Sequence, residues 1–128
     1  MNKIVLDSSA LIALLKNEPG AEEVEKVLGH IVMSSVNVSE VIGILLDGDM
    51  SLAKAEGCTL PLISSLVPFD EEQALKTADL KKITKSKGLS LGDRACLALG
   101  MTLKAPIYTA DKIWKDLNLK DIEIRLIR

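Results

Sequence analysis

Aromatic side chains are nearly absent. Among 128 residues there are one Phe, one Tyr and one Trp: Phe69, Tyr108 and Trp114. That excludes binding platforms built on stacked aromatics, such as RNA-recognition-motif or oligonucleotide-binding sheets. Histidine is just as scarce. One histidine, His30, and two widely separated cysteines, Cys58 and Cys96, cannot assemble a zinc site of Cys and His ligands. The same scarcity leaves Ser/His/Asp and Cys/His nucleophile arrangements without support. Two cysteines near no chelating partner are expected to be reduced, buried thiols of a cytoplasmic protein. Long hydrophobic runs are missing too. No stretch approaches ~20 apolar residues without a charge, so no membrane span is expected, and the short apolar run before Asp7 lacks the length of a signal peptide. There is no G-x-G-x-x-G after the first strand and no G-x-x-x-x-G-K-[ST] anywhere, which excludes the common glycine-rich phosphate loops. Nor is there an excess of one charge: 16 Lys and Arg against 18 Asp and Glu give −2, which by itself marks neither a nucleic-acid binder nor a polyacid.

What remains is an ordinary globular composition, 48% hydrophobic and 27% charged. The length fits one domain over residues 1–128, burying roughly two-thirds of its unfolded surface. Ile4-Val5-Leu6 is an apolar run that stops at Asp7, the pattern of a strand buried on both faces. Asp7-Ser8-Ser9 opens a helix to about Lys16. A second helix carries Ala21, Val24, Val27 and Leu28 on one face and ends at Gly29. Ile31-Val32-Met33 is the second strand. Asn37 with Glu40 three residues later has capping-box spacing, and the helix it opens closes at Gly48. Gly57 and Pro61 divide 49–65 into two short helices. Leu66-Val67-Pro68-Phe69 reads as an edge strand because of its proline. Asp70-Glu71-Glu72 starts a helix to about Ser86, and Ser90 to Asp93 is another capping-box spacing, opening a helix through Leu103. Pro106-Ile107-Tyr108 is the fourth strand and a short helix surrounds Trp114. Alternation of Ile122, Ile124 and Leu126 with Glu123 and Arg125 marks a half-exposed fifth strand. Strands alternating with helices predict an α/β domain with a mainly parallel five-stranded sheet flanked by helices. Placing the apolar first strand centrally, with right-handed crossovers, gives the order 3-2-1-4-5. Its switch point lies between strands 1 and 4, where ligands bind beyond the carboxyl ends of the strands.

Four acids from four distant segments fall at that edge. Asp7 follows strand 1, Glu40 sits in the first turn of the helix after strand 2, Asp93 lies in the first turn of the helix leading into strand 4, and Asp111 follows strand 4. Each alone is a good helix cap or first-turn acid. Together they repel, and caps alone are served as well by Ser, Thr or Asn. An oxygen-only cluster suits a hard divalent cation: Mg²⁺ takes one or two carboxylates, keeps several waters and leaves room for phosphate oxygens. Ser8, Ser9 and Thr109 are hydroxyls beside these acids, serving either as their supports or as local caps.

The segments Val5-Leu6-Asp7-Ser8-Ser9-Ala10-Leu11-Ile12-Ala13, Asn37-Val38-Ser39-Glu40-Val41, Leu89 to Leu99 around Gly92-Asp93-Arg94, and Tyr108-Thr109-Ala110-Asp111-Lys112 with Trp114 resemble the PIN-domain family, in its order and spacing. Within it they are similar to the VapC-type toxins of prokaryotic toxin–antitoxin pairs. The resemblance spans essentially the whole chain and implies a metal-dependent endoribonuclease. It places Asp7, Glu40, Asp93 and Asp111 in the acidic site, with Ser9 and Thr109 as polar support. The expected metal ligands are Asp7, Asp93 and Asp111, with Mg²⁺ as cofactor and Mn²⁺ able to substitute, and Glu40 either binds metal or positions water. Removing those four charges turns the formal −2 into +2. Arg94 and Lys112, with Lys85, Lys87 and Lys115, are candidates to line the approach of an RNA substrate held by its backbone. The resemblance further implies a cognate antitoxin that blocks the crevice with a basic side chain. The apolar helices between Val36 and Leu66 suit a homodimer interface; the role of 49–65 stays open. Two other classes compete. One is a PIN-like module that only binds partners. The other is a phospho-receiver, which needs paired acids after strand 1, where Asp7 stands alone, and an aspartate ending strand 3, where Asp70 is crowded by Glu71 and Glu72.

Overall fold

The computed structural model describes residues 2–128. Five strands, β1 (Ile4–Leu6), β2 (Ile31–Ser34), β3 (Ser65–Val67), β4 (Ile107–Thr109) and β5 (Ile124–Leu126), form one sheet in the order β3-β2-β1-β4-β5. Every pairing is parallel, with Val5 opposite both Val32 and Ile107. The central place of β1 follows from its three apolar residues, all buried. Period-2 alternation then splits the core. Ile4, Leu6, Ile31, Met33 and Tyr108 join a cluster with residues of α1 (Ser8–Leu15), α2 (Ala21–Glu25), α3 (Ser35–Asp47) and α4 (Leu52–Thr59). Val5, Val32 and Ile107 join a second cluster with Leu80 of α5 (Glu71–Thr84), Leu97 and Leu99 of α6 (Leu91–Leu103), and Trp114. β3 and β5 close the two edges with alternating partial burial.

Side-chain caps fix the starts of the α-helices other than α2, which follows the left-handed Gly20. Asp7 accepts the Ala10 N–H, Ser90 forms a reciprocal capping box with Asp93, and Asp111 caps a 3₁₀ turn over Lys112–Asp116. The start of α3 departs from the expectation. Ser34, in an extended conformation, accepts the Val36 N–H, so the helix begins two residues before Asn37. Asn37 is therefore not a cap, and Glu40 lies beyond the first turn. Three smaller boundaries also move. α4 runs through Gly57, and Pro61 opens a 3₁₀ turn instead of ending a helix. α2 ends at Glu25, with the left-handed Gly29 beyond it. β3 stops before Pro68, because the Phe69 N–H turns to the Ser35 hydroxyl. Cys96 is buried as expected, but Cys58 is exposed on α4. Among the described residues, no helix is long and apolar enough to cross a membrane.

Candidate metal and phosphate site

A cleft of about 300 Å³ opens where β1 and β4 end, and Asp7, Glu40, Asp93 and Asp111 all line it. A larger hollow lies against β5 and contains none of them. Asp7 is the buried floor of the cleft. Its carboxylate accepts the Ala10 N–H at 2.9 Å, the Ser9 hydroxyl at 2.8 Å and the Thr109 hydroxyl at 2.6 Å. An ionised carboxylate only accepts, so the Ser9 and Thr109 hydroxyls donate to Asp7, while Ser9 Oγ accepts the Ala110 N–H and Thr109 Oγ1 accepts the Asp111 N–H. Two hydroxyls thus tie the ends of β1 and β4 together and aim both at a carboxylate.

Glu40 reaches the cleft from α3. Its Oε1 accepts the Ser8 hydroxyl at 2.5 Å and the Asn37 side-chain amide at 3.0 Å. The same amide donates to the Gly92 carbonyl at 3.0 Å, linking α3 to the first turn of α6. Gly92 is a glycine for a steric reason: a Cβ there would overlap the Glu40 carboxyl group. Asp93 is held by the Ser90 N–H, and Asp111 by the Ile113 N–H.

The acids perturb one another. Burial raises Asp7 from its ordinary 3.8 to about 6, against its three hydrogen bonds, with the Asp93 charge adding to the rise. Asp93 is also raised, first by burial and then by Asp111 and Glu40. Burial pushes the Cys96 thiol well up, and Asp7, Asp93 and Glu40 push it further. Among the described residues, none of the four acids joins an ion pair; the pairs present are Lys26–Glu23, Lys76–Glu72, Arg125–Glu23 and Arg128–Glu18. An unneutralised, oxygen-only donor set of this kind fits a hard cation. Among the described residues no three acidic, His or Cys side chains are close enough to cage an ion alone. The fit is therefore to an ion bound by one or two carboxylates that keeps its waters, as Mg²⁺ does.

All seven predicted acids and hydroxyls converge on this edge. Of the basic candidates, Arg94 does not. Arg94 donates to the Thr77 carbonyl in the seam between α5 and α6, so it braces α5 against α6 and is absent from the cleft wall. Lys112 is exposed beside Asp111, without a partner among the described ion pairs. Sequence reasoning missed the site roles of Asn37 and Gly92, and the cleft walls Ile12, Glu18 and Ile44. Asn37 and Gly92 did carry a signal, being a polar residue and a glycine one residue or one turn from a site acid. Glu18 carried none, since it reaches the cleft only through the chain reversal at Asn17, which has positive φ.

Comparison with known proteins accounts for nearly the whole chain. The pattern of the family described as PIN domain matches residues 4–120. No curated protein matches in sequence. Solved structures match throughout. The DNA-bound VapBC complex of Salmonella typhimurium contains a chain with TM-score 0.71 and 17% identity, covering 100% of both chains. FitAcB of Neisseria gonorrhoeae gives TM-score 0.69 at 22% identity over 95% of this chain and 96% of that one. A VapBC-family toxin–antitoxin system of Mycobacterium tuberculosis gives 0.68 at 17% over 98% and 99%.

Proposed function

Because this chain belongs to the PIN-domain family, we propose that it is a metal-dependent endoribonuclease acting as the toxin of a toxin–antitoxin pair. The observation that carries this reading is the set of four carboxylates from four segments around one cleft, none neutralised by a cation among the described residues. Its similarity in fold to chains of VapBC complexes supports the toxin assignment.

The reaction is hydrolysis of an RNA phosphodiester: a water oxygen bonds to phosphorus, one P–O bond breaks, and the departing oxygen leaves as a hydroxyl. Asp7 and Asp93 would hold a Mg²⁺ or Mn²⁺ ion, with Asp111 as a ligand directly or through water. When bound, such an ion supplies a more acidic water and neutralises charge on the phosphate. The protein does the rest. Ser9, Thr109 and the Ala10 N–H keep Asp7 ionised and fixed in direction despite its burial. Ser90 fixes Asp93 through its N–H. Glu40 Oε2 receives no hydrogen bond among the described residues, which leaves it free to orient the attacking water and take its proton. Ile12 and Ile44 give the cleft an apolar wall that limits bulk water. The RNA would be held by its backbone, with Lys112, exposed beside Asp111, as the candidate contact.

The toxin reading brings two partners: an antitoxin whose basic side chain neutralises the acidic cleft, and a second copy of the chain. The test is cleavage of a single-stranded RNA oligonucleotide by the purified protein. Cleavage with Mg²⁺ or Mn²⁺, abolished by EDTA, supports the enzyme. No cleavage under any of these conditions, with the folded protein still binding its antitoxin, favours the partner-binding reading.

A further inference from the structure

We propose that Asn37 is a positioning residue of the cleft: its buried side-chain amide holds the Glu40 carboxylate above Gly92 and so sets where Glu40 acts. The inference rests on the nuclease reading above for what Glu40 does, and on geometry alone for where Glu40 is.

Glu40 is an exposed residue on a side chain with several free torsions. Left alone, such a carboxylate samples many positions. Here Asn37 lies three residues earlier on the same face of α3 and is only 1% exposed. Its Nδ2 has two protons and two strong acceptors, Glu40 Oε1 and the Gly92 carbonyl, both at 3.0 Å. Its Oδ1 is buried with no partner. The amide orientation follows from this chemistry: a flipped group would aim Oδ1 at two other oxygens. An interior side chain that leaves one polar atom unsatisfied is a poor choice for packing or stability, where an apolar residue of similar size would serve better. Its worth lies in the two donors. One takes Oε1 and the other ties the amide to the Gly92 carbonyl, Ser8 takes Oε1 from α1, and Oε2 lies over Gly92 with no hydrogen bond among the described residues. Gly92 completes the seat, since only a residue without Cβ leaves room for the carboxyl group.

A positioning role and a merely structural one separate in a double-mutant cycle. The probe is a fluorophore–quencher RNA oligonucleotide with Mn²⁺, and the variants are Asn37→Ala, Asn37→Asp, Glu40→Ala and the Asn37→Ala/Glu40→Ala pair. Asn37→Asp keeps the size of the side chain and removes the donors, so it guards against an Asn37→Ala result caused by a hole. We expect both Asn37 variants to lose kcat by roughly 10–100-fold, as removal of an outer support of a metal site does, with KM little changed. Asn37→Ala should cost almost nothing more once Glu40 is alanine. A crystal structure of Asn37→Ala gives a readout independent of activity: the Glu40 carboxylate should leave its seat over Gly92 while the backbones of α3 and α6 stay in place. The proposal is overturned if Asn37→Ala costs as much in the Glu40→Ala background as in the wild type, or if the variant crystal keeps Glu40 in its seat. An inactive wild type would refute the nuclease reading, and the crystal structure would still decide whether Asn37 places Glu40.

Discussion

At neutral pH Asp7 is an anion in the interior, and its ionisation is a cost that the fold carries. Its pKa is about 6 in the folded protein against 3.8 as the ordinary value. The folded state therefore binds the proton more tightly than the unfolded state between these values, so this group subtracts stability as pH rises from about 4 to about 6. The full effect is roughly 3 kcal/mol at pH 7. Urea denaturation in EDTA, comparing Asp7→Asn with wild type across that range, should show the variant gaining on the wild type as pH climbs. A difference flat with pH would mean that Asp7 titrates normally. Gly92 makes a second prediction at this scale. Alanine there collides with the end of a flexible side chain, the Glu40 carboxyl group, and not with backbone. The helix itself gains by about 1 kcal/mol from losing a glycine. Gly92→Ala should thus melt at the same temperature or higher while cleaving RNA at least tenfold more slowly; calorimetry and the oligonucleotide assay check the two signs separately.

The elements matter here for what their ends deliver. β1 and β4 end side by side, and Thr109 ties them by donating to Asp7 and accepting from Asp111. Thr109→Val preserves shape but strands both partners, so it should cost about 1–3 kcal/mol in denaturation and reduce cleavage as well. Element order was legible because the strand chemistry is unambiguous: an all-apolar β1 belongs in the middle and an alternating β5 at an edge. The caps at Asp7, Ser90 and Asp111 were legible for a similar reason, since their residue types and spacing serve one local hydrogen bond each. The start of α3 was not. Ser34, Ser35 and Asn37 are all competent caps, and the choice depends on which N–H each can reach once β2 has ended. Asn37 looks like a cap in the sequence because its partner, the Gly92 carbonyl, is 55 residues away. The direction of Arg94 is hidden on similar grounds. Its neighbour Asp93 points into the cleft, but adjacent helical positions diverge by about 100°, which turns Arg94 toward α5.

Over the whole molecule, the exposed apolar surface suits the proposed second copy of the chain. Ile44, Leu46, Leu52 and Leu66 remain exposed on the α3, α4 and β3 side, which is the surface expected to join two copies. Light scattering at high micromolar concentration should report a dimer, and Leu46→Glu with Leu52→Glu should shift it toward monomer; a wild-type monomer would contradict the homodimer. The proposed function requires the four acids to act as one cation site, with Asp7, Asp93 and Asp111 more than independent helix caps. At ~6 Å and an effective dielectric of ~20, two carboxylates repel by roughly 3 kcal/mol before relaxation, more than the ~0.3–1 kcal/mol that a helix N-terminus returns. Asparagine at 93 keeps the acceptor for the Ser90 N–H and removes the charge. The most direct measurement is therefore the melting temperature of wild type and Asp93→Asn, each in EDTA and in Mg²⁺. One cation site predicts that Asp93→Asn melts no lower than wild type in EDTA and loses most of the Mg²⁺-induced rise. A variant clearly destabilised in EDTA, with the Mg²⁺-induced shift intact, would contradict it and make Asp93 a cap.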